Sequence, residues 1–296
     1  MVVRCRTSWC ACKAEEGVMR LAIVQPITHA PPNDERNVGD ALTQIELASA
    51  QGADFVAFPE SYPGPWRMPP TFDPIPSMVE AARQHQIYVQ FGTFEPIDVA
   101  TGQAHQLAVL ASPDSQQFIY RRTHPPAPWT LYSYGDEWAF EYVPGDDFPV
   151  AETKHARVGL EVCSEVYMPE VSRALALRGA EVIFMPAGTE KPNLWATWRN
   201  LIWSRAVENL AIVVTTQNLF RPTQLGLAMV AGPEGILFES VAAGTFIIDV
   251  DLARIRELRA MRDGAGSTNG AKAGVLDQWQ RPDLYDKIFP RPAVKG

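Results

Sequence analysis

The sequence predicts an α/β fold in which strands and helices alternate around one core. Three observations carry that expectation. Short apolar, β-branched runs recur along the 296 residues, helical patterns separate several of them, and hairpins interrupt the alternation. The hairpins exclude a purely parallel, doubly wound order. Neither GxGxxG nor GxxxxGKS/T occurs, so no nucleotide-phosphate loop is implied.

The elements follow in order. LAIVQP at 21–26 reads as a buried strand. Residues 37–51 repeat apolar side chains at helical spacing, and Gly52 follows where a helix C-terminal glycine belongs. DFVAFPE at 54–60 is an apolar run that ends in Pro59 and Glu60. A helix is expected over 76–86 and a strand over 87–95. HQLAVLASP and QQFIYRR form a hairpin with PDSQ in its turn. The second half repeats the theme. RVGLEVCSE at 157–165 reads as a strand, PEVSRALALRGA as a helix closed by Gly179, and EVIFMPAG as a strand. A helix over 195–210 precedes strands in AIVVTTQN, LAMVAGPEG and TFIIDVDL, and a last helix covers 251–262. No linker is long or polar enough to split the chain. The expected organisation is an extension at 1–18, one domain at 19–275 and a tail at 276–296.

Composition narrows the function. A net charge of -8 argues against a general nucleic-acid or membrane-surface binder, which would carry a basic excess. No run approaches the roughly 18 apolar residues of a membrane span. The N-terminal residues lack the long apolar segment of a secretory signal, so the expected compartment is a reducing cytoplasm. Cys5, Cys10 and Cys12 crowd the N-terminus without a paired CxxC or a second ligand cluster. No metal and no cofactor are assigned.

Three reactive side chains end apolar strands: Glu60, Arg122 and Cys163. Ligands of α/β sheets bind beyond the carboxyl ends of strands. Cys163 falls in a tight turn between a strand and a helix, an arrangement that exposes a nucleophile, and the helix start is expected to favour thiolate. A lone cysteine on an apolar strand is equally readable as a small buried hydrophobe. Glu60, beside the rigid aromatic loop SYPGPW, is placed to take a thiol proton. Among the histidines, His124 is the rival base. Trp66, Trp129 and Tyr132, from SYPGPW and PPAPWTLYSY, are candidates to line a pocket, with Ser164 beside the nucleophile. The aromatic residues could equally pack loops or a subunit interface.

Taken together, VAFPES, YRRTH and VCSEVYMPE resemble the nitrilase superfamily of carbon–nitrogen hydrolases. QGADFVAFPE, FGTFE and WSRAVENLAIVV extend the resemblance over most of the chain. The resemblance implies a four-layer α-β-β-α sandwich and a Glu–Lys–Cys triad. By match Glu60 is the base and Cys163 the nucleophile, while Arg122 stands where the family places its lysine. A second glutamate is implied in YGDEWAFEYVPG, with Glu137 favoured over Glu141 by its spacing to Pro144 and Gly145. The implied activity is hydrolysis of a small amide or N-carbamoyl amine through a cysteine thioester. Nitrile hydrolysis is the less favoured alternative, because a CWEN-type motif is absent. A degenerate member that binds a small ligand or partner without turnover is the other, because of Arg122. The resemblance also implies a homodimer or higher homo-oligomer, with no nucleic-acid or membrane partner.

Overall fold

The computed structural model describes residues 17–67, 69–125, 141–188, 192–262 and 272–288. In chain order the elements are β1 (Val18–Gln25), α1 (Arg36–Ala50), β2 (Phe55–Ala57), α2 (Ile75–His85), β3 (Tyr88–Asp98), β4 (Gln103–Ala111), β5 (Gln117–Arg121) and β6 (Glu141–Tyr142). The second half supplies β7 (Val150–Glu152), β8 (Arg157–Leu160), α3 (Pro169–Leu177), β9 (Val182–Phe184), α4 (Trp195–Asn209) and β10 (Ile212–Thr215). It closes with β11 (Ala228–Gly232), β12 (Gly235–Ser240), β13 (Gly244–Asp251), α5 (Leu252–Ala260) and α6 (Pro282–Ile288).

Two sheets form. One runs β13-β1-β2-β3-β4-β5, with β6 added beside β4, and the other runs β12-β11-β10-β9-β8-β7. In the first, β1, β2 and β3 are parallel, crossed over by α1 and α2. In the second, β8, β9 and β10 are parallel, crossed over by α3 and α4. Antiparallel strands flank each parallel trio, which accounts for the hairpins read from the sequence.

The burial pattern explains why most strands read as continuous apolar runs. Leu21 and Ile23 of β1 point between the sheets, where they meet Leu160, Phe184 and Val214. Their neighbours Ala22 and Val24 face α1 and α2, against Ala41, Ile45 and Met78. The second sheet does the same, with Ile183 and Val213 packed on Val171, Leu175, Trp198 and Ile202. Side chains alternate across a strand, so a strand buried on both faces must be apolar throughout. The result is the α-β-β-α sandwich.

Several elements differ from the sequence reading. RVGLEVCSE is a strand only over Arg157–Leu160, after which the chain leaves the sheet and turns tightly at Cys163–Tyr167. The short strands β6 and β7 carry too few residues to show a period. Edge strand β12 is half exposed, and α6 lies in the stretch read as a C-terminal tail, for which no helix was expected. At the ends of the expected domain, the Gly17 carbonyl accepts the Leu252 N–H, and Val275 and Leu276 pack on Leu210 and Leu258. Cys5, Cys10 and Cys12 lie outside the described residues. No helix among the described residues is long and apolar enough to cross a membrane.

Two polar side chains lock the helices to the second sheet. Arg259 of α5 donates to the carbonyls of Gly179 and Ala180 beyond α3 and of Asn209 and Leu210 at the end of α4. A cation at two helix C-termini answers both the dipoles and the unpaired carbonyls there. Glu161, just past β8, is fully buried, and its Oε2 accepts the Ser172 hydroxyl of α3 at 2.6 Å. Burial pushes its carboxyl up to about 8; the Ser172 bond opposes this, and the charge of Glu165 adds to it.

A pH dependence follows. The folded carboxyl keeps its proton to about 8, whereas an ordinary carboxyl ionises near 4.5. The unfolded chain therefore binds fewer protons across that window, and stability falls as pH rises from about 4.5 to about 8, by up to about 1.4 kcal/mol per pH unit. Glu161→Gln removes the titration and keeps the shape. Urea unfolding from pH 5 to 8 should show a flatter stability profile in the variant. Parallel profiles in the two proteins would sink the assignment.

Candidate active site

The site lies at the carboxyl ends of β2, β5, β8 and β9, where the two sheets meet. Beyond β9 the chain offers two successive carbonyls: Pro186 accepts the Cys163 N–H at 2.9 Å, and Ala187 accepts the Glu60 N–H at 3.1 Å. One peptide unit of the second sheet thus sets the spacing of a carboxylate and a thiol. On its other side Glu60 is held by the Asn218 amide, which donates to the Glu60 carbonyl at 2.8 Å. The chain then reverses at Ser61, whose φ is +53°. Gly92 makes room for this reversal, since a Cβ there would sit 2.4 Å from the Ser61 nitrogen.

Cys163 also has a φ of +53°, directly after the extended Val162. A left-handed conformation at a residue with a Cβ costs roughly 1–3 kcal/mol and persists only where its surroundings impose it. Glu165 imposes it. Its buried carboxylate accepts the Val162 N–H through Oε2 at 2.7 Å. Through Oε1 it accepts the Tyr120 hydroxyl and the Thr123 and His124 N–H groups at 2.7–2.9 Å, and the Thr123 hydroxyl at 2.8 Å. Glu165 therefore ties the turn at Cys163 to the chain leaving β5.

That exit strand separates the two arginines by alternation. Arg121 points to the outer side and pairs with Glu95 at 2.6 and 2.8 Å, with both side chains partly exposed. Arg122 points between the sheets and is 2% exposed. Its Nη1 donates to Glu60 Oε1 at 3.2 Å and to Gln106 Oε1 at 2.8 Å, and its Nη2 donates to Ser164 Oγ at 2.5 Å. Gln106 of β4 completes the circuit: its Nε2 donates to Glu60 Oε1 at 2.6 Å and to Ser61 Oγ at 3.0 Å. The backbone is fixed as well, with Arg122 N–H on the Gln106 carbonyl at 2.9 Å and Gly145 N–H on the Arg122 carbonyl at 2.8 Å. A Cβ at Gly145 would lie 2.3 Å from the Arg121 carbonyl oxygen, which accounts for the glycine after Pro144.

Electrostatics follow from this packing. Burial pulls the Arg122 guanidinium down, but the charges of Glu60, Cys163 and Glu165 outweigh it and leave it raised. Burial pushes the Cys163 thiol well up, and the Glu60 charge adds to the effect; Arg122 and the Gly188 N–H pull the other way. This corrects the expectation that a helix start favours thiolate. α3 begins only at Pro169, past a separate turn, so its N-terminus does not reach the sulfur. At rest the Cys163 side chain is therefore a thiol. Tyr142 lies within the same field, its phenol pushed well up by burial and then by the Glu60 charge.

A cavity of about 900 Å³ opens beside the turn, lined among the described residues by Thr123, His124, Glu141, Tyr142, Ser164 and Tyr167, together with neighbouring apolar groups. His124, the rival base, sits at its rim with Nδ1 2.8 Å from the Thr123 hydroxyl. Trp66 is buried; its indole N–H donates to the Ser61 carbonyl and its ring meets Phe220 edge-on, in a cluster with Phe94 and Tyr142. Glu141 is exposed and holds β6 on β4. Glu137, Trp129 and Tyr132 lie outside the described residues. No cluster of three or more His, Cys, Asp or Glu residues among the described residues could hold a metal. Sequence reading missed Gln106, Glu165 and Asn218. A period-two count would have found Gln106, which shares the inward face of β4 with Ala108 and Leu110.

Comparison with known proteins gives a consistent answer. The carbon-nitrogen hydrolase family profile matches residues 20–260. An N-carbamoylputrescine amidase of Arabidopsis thaliana is 25% identical, the match covering 93% of this chain and 97% of that protein. The omega-amidase of Homo sapiens is 26% identical over 81% of this chain and 91% of its own length. Among solved structures, an amidase from Nesterenkonia sp. AN1, carrying an acetamide moiety covalently added at its active-site cysteine, superposes with a TM-score of 0.68 at 24% identity. That match covers 84% of this chain and 97% of the other, and the likeness is one of fold. With the profile spanning both halves of the sandwich and all four strand ends of the site, the chain belongs to the carbon-nitrogen hydrolase family.

Proposed function

We propose that this hydrolase cleaves the C–N bond of a small linear amide or N-carbamoyl amine through a thioester on Cys163. The observation that carries the reading is the division of labour on Glu60. Its Oε1 is occupied by Arg122 and Gln106, while its buried Oε2 accepts no hydrogen bond from nitrogen or oxygen among the described residues. That leaves one carboxylate oxygen to serve the neighbouring thiol. Oε2 takes the Cys163 proton as Sγ attacks the carbonyl carbon. The oxyanion is held by the Arg122 guanidinium and the Ser164 backbone N–H. Glu60 then returns the proton to the leaving nitrogen, and the C–N bond breaks to give the amine and the acyl-thioester. Water, deprotonated by Glu60, attacks the thioester; acid leaves and the thiol reforms. An arginine holds its proton throughout, so in this scheme Glu60 alone moves protons.

The amide and carbamoyl classes are supported by the names of the matched relatives, among them N-carbamoylputrescine amidase, omega-amidase and an (R)-stereoselective amidase of Pseudomonas sp. A free Cys163 suits a reducing cytoplasm. A homo-oligomer is supported by apolar side chains exposed on the second sheet's helices, Leu177 of α3 and Trp203 of α4.

The first test is mass spectrometry of the protein mixed with candidate amides, carbamoyl amines and nitriles. An acyl adduct on Cys163, absent in Cys163→Ala, is expected with an amide or carbamoyl compound. No adduct and no turnover in any class would overturn the proposal, and an adduct from nitriles alone would replace it with nitrile hydrolysis. In Arg122→Lys a compact point charge replaces the planar fork that donates through Nη1 to Glu60 and Gln106 and through Nη2 to Ser164; kcat should fall about a hundredfold. Unchanged or faster turnover would remove Arg122 from the mechanism. Light scattering should return at least twice the 32.8 kDa chain mass; a monomer would refute the assembly.

A further inference from the structure

The proposed mechanism uses Glu60, Arg122 and Cys163, yet a fourth buried side chain touches two of these three. Gln106 is 1% exposed and sits on β4, inside the first sheet. It belongs to none of the motifs that bring the reactive residues together. A polar side chain on a face otherwise filled by Ala108, Leu110 and Tyr120 costs desolvation unless every polar atom is satisfied. Here all are: Oε1 accepts Arg122 Nη1 at 2.8 Å, and Nε2 donates to Glu60 Oε1 at 2.6 Å and to Ser61 Oγ at 3.0 Å.

The orientation of this amide is dictated by charge. A guanidinium only donates and a carboxylate only accepts, so Oε1 must face Arg122 and Nε2 must face Glu60. The consequence falls on Glu60. Two donors converge on the same oxygen, Oε1, and hold the carboxylate against rotation. The other oxygen, Oε2, accepts from no nitrogen or oxygen donor among the described residues. A carboxylate free to rotate could offer either oxygen to Arg122 and lose its aim at the thiol.

We infer that Gln106 is a positioning residue that orients the general base, pinning Oε1 of Glu60 so that Oε2 is the oxygen presented to Cys163. This rests on the reading of Glu60 as base. Gln106 acts through Glu60 and Arg122 and has no contact with the described lining of the cavity mouth, so its loss should lower kcat and leave KM within about twofold.

The experiment compares the wild type with Gln106→Met, which keeps the volume but not the amide, and Gln106→Glu, which keeps the shape but adds a negative charge beside Glu60. The readout is the rate of Cys163 alkylation by iodoacetamide, followed by mass spectrometry from pH 4 to 9. It needs no turnover, so failure of the hydrolase reading does not hide the result. The alkylation rate at neutral pH should fall at least tenfold in the Met variant, where Glu60 loses one of the two donors that aim it at the thiol, and further in the Glu variant. Melting temperature checks that each variant folds; if the Met variant fails to fold, the Glu variant alone carries the test. Where butyramide or another amide is turned over, kcat should fall at least tenfold in the Met variant. A wild-type alkylation rate in every folded variant would overturn the inference, since a role confined to packing would leave that rate in place. So would a wild-type kcat in Gln106→Met.

Discussion

The site depends on the burial of one permanent charge. Arg122 cannot shed its proton, and its guanidinium lies almost wholly out of water. A cation in that position must find anions and acceptors or destabilise the fold. Glu60, Gln106 and Ser164 supply them, one from the end of β2, one from within β4 and one from the turn after Cys163. The demand therefore works as an assembly rule: the two sheets must meet with these three groups in reach. Glu165 repeats the rule with the opposite sign. Its buried carboxylate gathers donors from Val162, Tyr120, Thr123 and His124, and so binds the nucleophile turn to the segment that carries Arg122.

The backbone sets the distance over which these charges act. Pro186 and Ala187 hold the N–H groups of Cys163 and Glu60 through adjacent carbonyls, so thiol and base cannot drift apart without breaking the exit of β9. The left-handed residues Ser61 and Cys163 turn the chain at the two strand ends. This rigidity shapes the chemistry. In the proposed mechanism a thiol held protonated by its surroundings is a poor nucleophile at rest and becomes one only as its proton moves to Glu60. Such a cysteine is guarded against adventitious reaction in the empty enzyme.

Much of this was legible in the sequence because it lies where a periodic pattern stops. Glu60, Arg122 and Cys163 each interrupt an apolar run, and a reactive side chain at the end of a buried strand stands out. The buried strands were legible from their unbroken apolar runs, since strands buried on both faces carry no alternation, whereas their division into two sheets followed only from the family resemblance. Gln106 was legible only from its period-two spacing to Ala108 and Leu110, because it lies inside HQLAVLASP and not at the end of an apolar run. Glu165 was hidden, since a glutamate in a turn reads as a solvated one, and only the fold shows five donors closing on it. The expectation of a thiolate failed on a distance: the helix begins six residues after the sulfur, and burial with the Glu60 charge decides the matter instead.

The seclusion of Arg122 has one more consequence. The proposed reaction moves a proton between Cys163, Glu60 and the substrate, yet the summed charge of the buried centre never changes. Mobile ions screen exposed charges over about 10 Å at 0.1 M salt, and they have little hold on a pair kept out of water. Ionic strength would then act on the approach of substrate past His124 and Glu141 at the mouth, and leave the bond-breaking steps alone. Added salt becomes a way to weigh entry against chemistry in a single enzyme.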